Sequence, residues 1–266
     1  MRHFFSSADH PLAKRLEAAD AANVQAMAQV LSSNFAEAAA EPFAGGMAIF
    51  AGVGSPMTHA LGIGMSGFVS EKEMERMETF FRQRGSACLI DLCPLADPSV
   101  IAFVQSRPYR IIEFNNVMVR RIERDDVYEP VASVRRVSEA EMPLWCHVVS
   151  EGFAEQMPIV QEMADVIAAI GGESQCWLAG EEKPVAGAAM GIRDATALFY
   201  GDATLPSARR QGWQSAFIRC RLAAAQQQGS DLAMASVLPG SGSNRNYERA
   251  GFQLIYMRVN LMREFA

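Results

Sequence analysis

Thr196-Ala197-Leu198-Phe199-Tyr200-Gly201-Asp202-Ala203-Thr204-Leu205-Pro206-Ser207-Ala208-Arg209-Arg210-Gln211-Gly212-Trp213-Gln214-Ser215 is the stretch from which the rest of this chain can be read. Ala197 to Tyr200 is an apolar, aromatic run of strand length, closed by Asp202 to Pro206 because proline supplies no backbone donor. Arg209-Arg210-Gln211-Gly212 then leads into Trp213, Ala216, Phe217, Ile218, Leu222 and Ala225, a helical pattern that stops at Gly229 as a C-terminal cap would. A glycine admits close approach of a ligand to the backbone, and a helix start leaves amide N–H groups unused and carries positive potential. With two arginines beside it, the turn is an anion site on these grounds; the alternative is an ordinary strand-to-helix turn with solvated arginines.

The spacing Thr204-x-Pro206-x-x-Arg209-x-x-Gly212-x-Gln214 resembles the acyl-CoA pyrophosphate loop of the GNAT superfamily of N-acyltransferases, usually Val-x-Pro-x-x-Arg-x-x-Gly-x-Gly/Ala. Thr204 replaces the common valine, and Gln214 stands where the family prefers glycine or alanine. Farther on, Tyr247-Glu248-Arg249-Ala250-Gly251-Phe252 resembles the family's Tyr-Glu-x-x-Gly-Phe segment, whose tyrosine can protonate the departing CoA thiolate. The asparagine often found seven residues before that tyrosine is Gly240 here, with Asn244 and Asn246 as substitutes for its CoA contact. The resemblance implies acetyl-CoA as co-substrate, held by Thr204, Leu205, Arg209, Arg210, Gln211, Gly212, Trp213, Gln214, Ser215, Asn244 and Asn246. It makes Tyr247 the catalytic general-acid candidate, with the thioester carbonyl polarised by a backbone N–H near Ala203 to Leu205 and the pantetheine between the strands at 196–204 and 231–238. The implied reaction is direct attack of a small molecule's or amino acid's primary amine on the thioester in a ternary complex. The sequence does not identify the base: Asp202, Glu173 and Glu151 are candidates, each read in the first place as a solvated surface carboxylate, and a water chain to bulk would do the same work. For Tyr247 the alternative is a ring packed under the last strand with its hydroxyl in water.

Element order extends the resemblance over 131–266: a strand at 131–137, a helix capped by Ser138 and running to about Phe153, and a helix from Pro158 to Gly171-Gly172. Strands at 175–179, 185–192 and 196–201 follow, then the loop and its helix, a strand at 231–238, a helix around 245–249 and a closing strand at 252–262. Residues 1–121 repeat much of this order. Leu12, Leu16, Val24, Met27 and Leu31 have helical spacing, giving two short helices or one broken one over 11–40. Strands at 46–53 and 59–65 form a hairpin around Ser55-Pro56, Ser70-Glu71-Lys72-Glu73 has capping-box form, and 87–92 is the next strand. Asp97-Pro98-Ser99 starts a short helix, and 110–121 is a long strand. The expectation is an α/β (α+β) protein of two tandem GNAT-like domains, each a mostly antiparallel mixed sheet flanked by helices: a degenerate copy at 1–121, a charged linker at 122–130 and an acyl-CoA-binding domain at 131–266.

Gly62-Ile63-Gly64-Met65-Ser66-Gly67 also matches the dinucleotide fingerprint, which keeps an NAD-linked oxidoreductase open beside an acyltransferase and a non-catalytic acyl-CoA sensor. Against it, Glu71 and Glu73 in the first turn of the next helix would repel a pyrophosphate, so a glycine-rich connection is the competing reading. Half the residues are hydrophobic and a fifth charged, ample for packed cores. A net charge of -6 disfavours general nucleic-acid binding while leaving a local patch of Arg209, Arg210, Arg219 and Arg221 for a small anion. No apolar run approaches the roughly 18 residues of a membrane span, and a cytoplasmic protein is expected. Cys88, Cys93, Cys146, Cys176 and Cys220 are scattered and read as reduced core residues, and no metal is expected. His147 is either a pocket base or a satisfied histidine on a half-buried helix; the acceptor and the oligomeric state are not legible.

Overall fold

The computed structural model describes residues 9–33, 35–129, 131–155, 161–180 and 183–265. The chain divides into two compact units, one of residues 5–117 with 254–266 and one built on residues 118–253.

The first unit opens with α1 (His10–Leu31), a single 22-residue helix where the sequence suggested a broken one. Asp9 caps it, accepting from the Leu12 N–H at 2.8 Å, and Pro11 lies in the first turn, where its missing donor costs nothing. The helical reading ran on to residue 40, but β1 (Ala39–Phe43) has strand geometry and pairs antiparallel with β2 (Gly46–Phe50). Pro42 is tolerated because β1 is the edge strand. Ala44 and Gly45, both at positive φ, make the two-residue turn that such a hairpin favours. β2 pairs antiparallel with β3 (His59–Leu61), and β3 pairs parallel with β4 (Cys88–Leu92). Between those parallel strands run the glycine loop and α2 (Glu71–Arg82), capped by Ser70. Asp97 caps α3 (Pro98–Gln105), and β5 (Arg110–Arg121) spans its expected residues.

The second unit takes up the chain from Met118. Residues 122–129 are tied down: Asp126 accepts from Arg120, Tyr128 and the Glu123 N–H, while Gln226 donates to the Glu123 and Asp126 carbonyls. β6 (Val134–Arg136) follows; Ser138 and Glu141 form the expected capping box ahead of α4 (Met142–Phe153). The expected start of the next helix at Pro158 lies outside the described residues; α5 is described over Gln161–Gly172. β7 (Gln175–Ala179), β8 (Ala186–Arg193) and β9 (Thr196–Thr204) form an antiparallel meander with β6. Then come α6 (Trp213–Gln227), β10 (Leu232–Val237) and α7 (Gly242–Arg249). One core lies between the meander, α6 and α7 around Met190, Phe199, Phe217 and Phe252; another packs α4 on β7–β9 around Trp145.

The expected closing strand exists, as β11 (Gln253–Arg263), but from Leu254 onward it belongs to the first unit, where it pairs antiparallel with β4 at Val259↔Leu92. By hydrogen-bonded neighbours the strands of the first unit run β1-β2-β3-β4-β11-β5 and those of the second β10-β9-β8-β7-β6, each order mixed, with seven α-helices among the described residues. The expected partition, one sheet per half of the chain, breaks at β11, which the first unit takes up. Strand partners are chosen by tertiary packing, which local pattern does not report.

Candidate functional site

β9 and β10 start as a parallel pair at Leu232↔Thr196, Ala233↔Ala197 and Met234↔Leu198, and beyond Leu198 the pairing stops although both strands continue. Two residues of β9, Gly201 and Asp202, oppose the single Ala188 of β8, so β9 bulges there; Gly201 at φ +65 supplies the left-handed conformation. The bulge turns the Asp202 side chain toward α6 and α7, where it bonds Gln214 and Tyr247. Past β9, Leu205 donates to the Val185 carbonyl at 2.9 Å, so that N–H is engaged within the fold. A short 3-10 turn at Pro206–Ala208 leads to Arg210, at φ +65, and Gly212, at φ +88, which is the N-cap of α6.

No side chain caps α6, and a methyl added at Gly212 would meet open space. The start of α6 therefore offers backbone donors and the positive end of a dipole to an anion approaching past Gly212. Arg210 and Gln211 are exposed beside it. Arg209 is turned back instead: its guanidinium contacts Glu155 at 2.6 Å and donates to the Gly152 carbonyl, and its Nε donates to the Thr204 carbonyl. Gly152 is where α4 lies against this segment, with space so short that a Cβ there would come within 2.8 Å of Ala203 Cβ.

Behind the loop lies a buried polar cluster that sequence reasoning missed. Arg221, counted there with the surface patch, has no exposed surface. It meets Asp202 at 2.6 Å, donates to the Ala189 carbonyl at 2.9 Å and stacks over the Phe199 ring at 4.5 Å. Burial alone would lower its pKa, but Asp202 outweighs that and leaves it raised, a permanent cation. The signal was available: Arg221 is four residues after Phe217 and four before Ala225, on the buried face of α6, whereas Arg219 is on the exposed one.

Tyr247 is part of the same cluster. It is 1% exposed, its hydroxyl donates to Asp202 Oδ2 at 2.9 Å, and its ring meets Phe252 edge-on at 4.9 Å. The alternative placement, with the hydroxyl standing in water, does not describe it. Burial first, then the Asp202 charge, pushes its pKa well above the ordinary phenol value. Gln214 donates to Asp202 Oδ2 at 3.2 Å and to Ser243 Oγ at 2.8 Å, and its carbonyl accepts from Asn246 at 2.7 Å. Asn244 is buried and turned to Glu248 at 2.7 Å. Trp213 and Ser215 are half-buried in the first turn of α6. Of the other candidate groups, His147 and Glu151 are exposed on α4, and Glu173 pairs with Arg193 at 3.5 Å.

The Gly62–Gly67 loop of the first unit is built differently. The Gly62 N–H donates to the buried Glu17 at 3.2 Å, the Val69 N–H to Ser99, and Ser70 caps α2 through the Glu73 N–H. Glu73 in turn accepts from the Ala44 N–H at 2.8 Å. A Cβ on Gly64 would come within 2.6 Å of Val100, so α3 closes directly over that glycine.

No protein-family model matches the sequence, and no curated protein matches it. Solved structures do. A GCN5-related N-acetyltransferase from Kribbella flavida superposes with a TM-score of 0.62 at 19% identity, over 92% of this chain and 96% of that one. Another, from Sphaerobacter thermophilus, gives 0.53 at 14% identity over 73% and 64%. A tandem GNAT protein from the clavulanic acid biosynthesis pathway gives 0.51 at 12% identity over 71% and 67%. At such identities the likeness is one of fold, and the fold is GNAT-like.

Proposed function

We propose that residues 118–253 bind acyl-CoA at the start of α6 and transfer its acyl group, acetyl in the simplest case, to the primary amine of a small molecule or amino acid. The observation carrying this reading is the uncapped helix start behind a left-handed glycine, beside two strands that part after three pairs. The pyrophosphate would meet the α6 amides and Arg210, with Arg209 joining once it leaves Glu155; the pantetheine would run between β9 and β10. Transfer then needs an unprotonated amine held in line with the thioester carbon, a donor for the carbonyl oxygen as it becomes an oxyanion, and a proton for the departing thiolate. The first unit, with its parallel β3/β4 pair, intervening glycine loop and helix, reads as a degenerate copy.

The test is calorimetric titration of acetyl-CoA, CoA and NAD into the full chain, with Arg209→Ala plus Gly212→Asp as control. Acetyl-CoA binding that the double variant loses supports the reading, and thiol release on a panel of amines then identifies the acceptor. NAD binding without CoA binding would overturn it. A second reading, acyl-CoA bound but not turned over, is favoured by Tyr247, whose proton is held by burial and by Asp202. Binding without thiol release from any amine would select it.

A further inference from the structure

On the reading that acyl-CoA binds at the start of α6, we propose that Gln214 is a latch across the ligand's path, and that the ligand engages only after the Gln214 side chain lets go. Gln214 is in the first turn of α6, yet its amide reaches three other places. It donates to Asp202 on β9, donates to Ser243 in the first turn of α7, and accepts from Asn246 one turn later. β9 and β10 part after Met234↔Leu198, and α7 follows β10, so these bonds lace together the elements that border the opening. All the hydrogen-bonding atoms of the amide are engaged, at 3.2, 2.8 and 2.7 Å, so the side chain is held rather than resting on the surface. A ligand arm running between the strands must displace it or pass it.

Release does not leave the interior uncompensated. Asp202 keeps Arg221 at 2.6 Å and the Tyr247 hydroxyl at 2.9 Å when Gln214 departs. Ser243 and Asn246 are half-buried and within reach of water. The closed and open positions therefore differ by a few exchangeable hydrogen bonds, each of modest net value in water. Binding is weakened by the fraction of molecules that are open. A polar ligand group that takes over the bonds to Ser243 and Asn246 would shift that fraction.

The experiment is acetyl-CoA titration and stopped-flow association with the full-length wild type, Gln214→Ala and Ser243→Ala. A latch closed nine-tenths of the time predicts roughly tenfold tighter binding for Gln214→Ala. It predicts a smaller gain for Ser243→Ala, a change outside the helix start that removes one of the three bonds. Because a side chain held by a few hydrogen bonds lets go far faster than a ligand arrives, it also predicts association that is linear in acetyl-CoA for both wild type and Gln214→Ala but roughly tenfold faster for Gln214→Ala, with dissociation unchanged. Equal affinities and equal association rates in all three proteins would overturn the latch while leaving the acyl-CoA site standing. Tighter binding by Gln214→Ala that comes from slower dissociation, with association unchanged, would also overturn it, since added space in the bound state alone explains that result. No binding by any of the three would overturn both.

Discussion

The two glycine loops of this molecule follow parallel-paired strands and precede helices, yet they dispose of their backbone donors in opposite ways. After β3, Gly62 gives its N–H to Glu17, Val69 to Ser99 and Glu73 to Ser70, so the loop is satisfied by its own unit. After β9, Gly212 opens α6 with no capping side chain, and the only nearby carboxylate holding an arginine of the loop, among the described residues, is Glu155 at the surface. A glycine-rich turn before a helix thus says little about ligands until its amides are accounted for. Each loop is also backed by a buried arginine and tyrosine that share a carboxylate: Arg258 and Tyr256 with Glu17 in one case, Arg221 and Tyr247 with the half-buried Asp202 in the other. In the first, the carboxylate takes the loop's own N–H; in the second, it takes the side chain of Gln214.

The sharpest break in this comparison is at Arg258. Glu17 and Arg258 are both buried, 2.8 Å apart, and Arg258 also holds Asp20 at 2.7 Å. Arg258→Met strands the Glu17 charge, and the expected loss is about 3–5 kcal/mol in urea unfolding. A loss below about 1 kcal/mol would mean that the cluster does not hold the first loop. Next comes one substitution made at both glycines. Gly64→Ala forces a methyl against Val100 at positive φ, and should cost about 1–3 kcal/mol of stability with acetyl-CoA affinity unchanged. Gly212→Ala meets open space, so its stability cost should stay near the roughly 1 kcal/mol of the left-handed backbone, while acetyl-CoA affinity falls. The comparison fails if the two variants exchange these signatures.

A pH series separates the units more gently. His59 and Asp91 in the first unit are 3.1 Å apart. Burial pushes His59 down, but the Asp91 charge and hydrogen bond outweigh it and leave the imidazole above its ordinary value. Its contribution is then fully present below the unfolded-state value of about 6.5 and disappears as pH rises through the raised folded one. Burial likewise pushes Asp91 up, and His59 outweighs it, so the carboxylate's share is lost only as pH falls through its lowered value. The stability gap between wild type and His59→Gln, measured by urea unfolding, should therefore be wider at pH 6 than at pH 9. An equal gap at both would show that His59 is held neutral. The smallest effect is expected for Glu155→Gln, which frees Arg209: acetyl-CoA affinity should rise by no more than a few-fold, since an exposed pair contributes about 0–1 kcal/mol.

Much of the fold was legible because the elements carry their own punctuation. Ser70, Asp97 and Ser138 each precede a helix and each caps it or its first turn, and β5 occupies its expected residues. β1 was missed because Ala39-Ala40-Glu41-Pro42-Phe43 has neither alternation nor β-branched residues; it is a strand because β2 offers an edge. At the site, the loop and Gly212 follow from local sequence, whereas the role of Asp202 depends on Arg221 and Gln214, brought to it by α6, and on Tyr247, brought by α7. Their spacing in sequence carries no trace of that meeting, apart from the helical period that puts Arg221 on the inner face of α6.

The membership of β11 also sets a timetable. Residues 5–117 emerge first during synthesis, but β4 lacks its antiparallel partner until Val259 to Arg263 have been made. Residues 118–253 are complete before that. The half of the sequence translated later can thus finish its own fold earlier, while the earlier half waits with one side of β4 open to any passing strand.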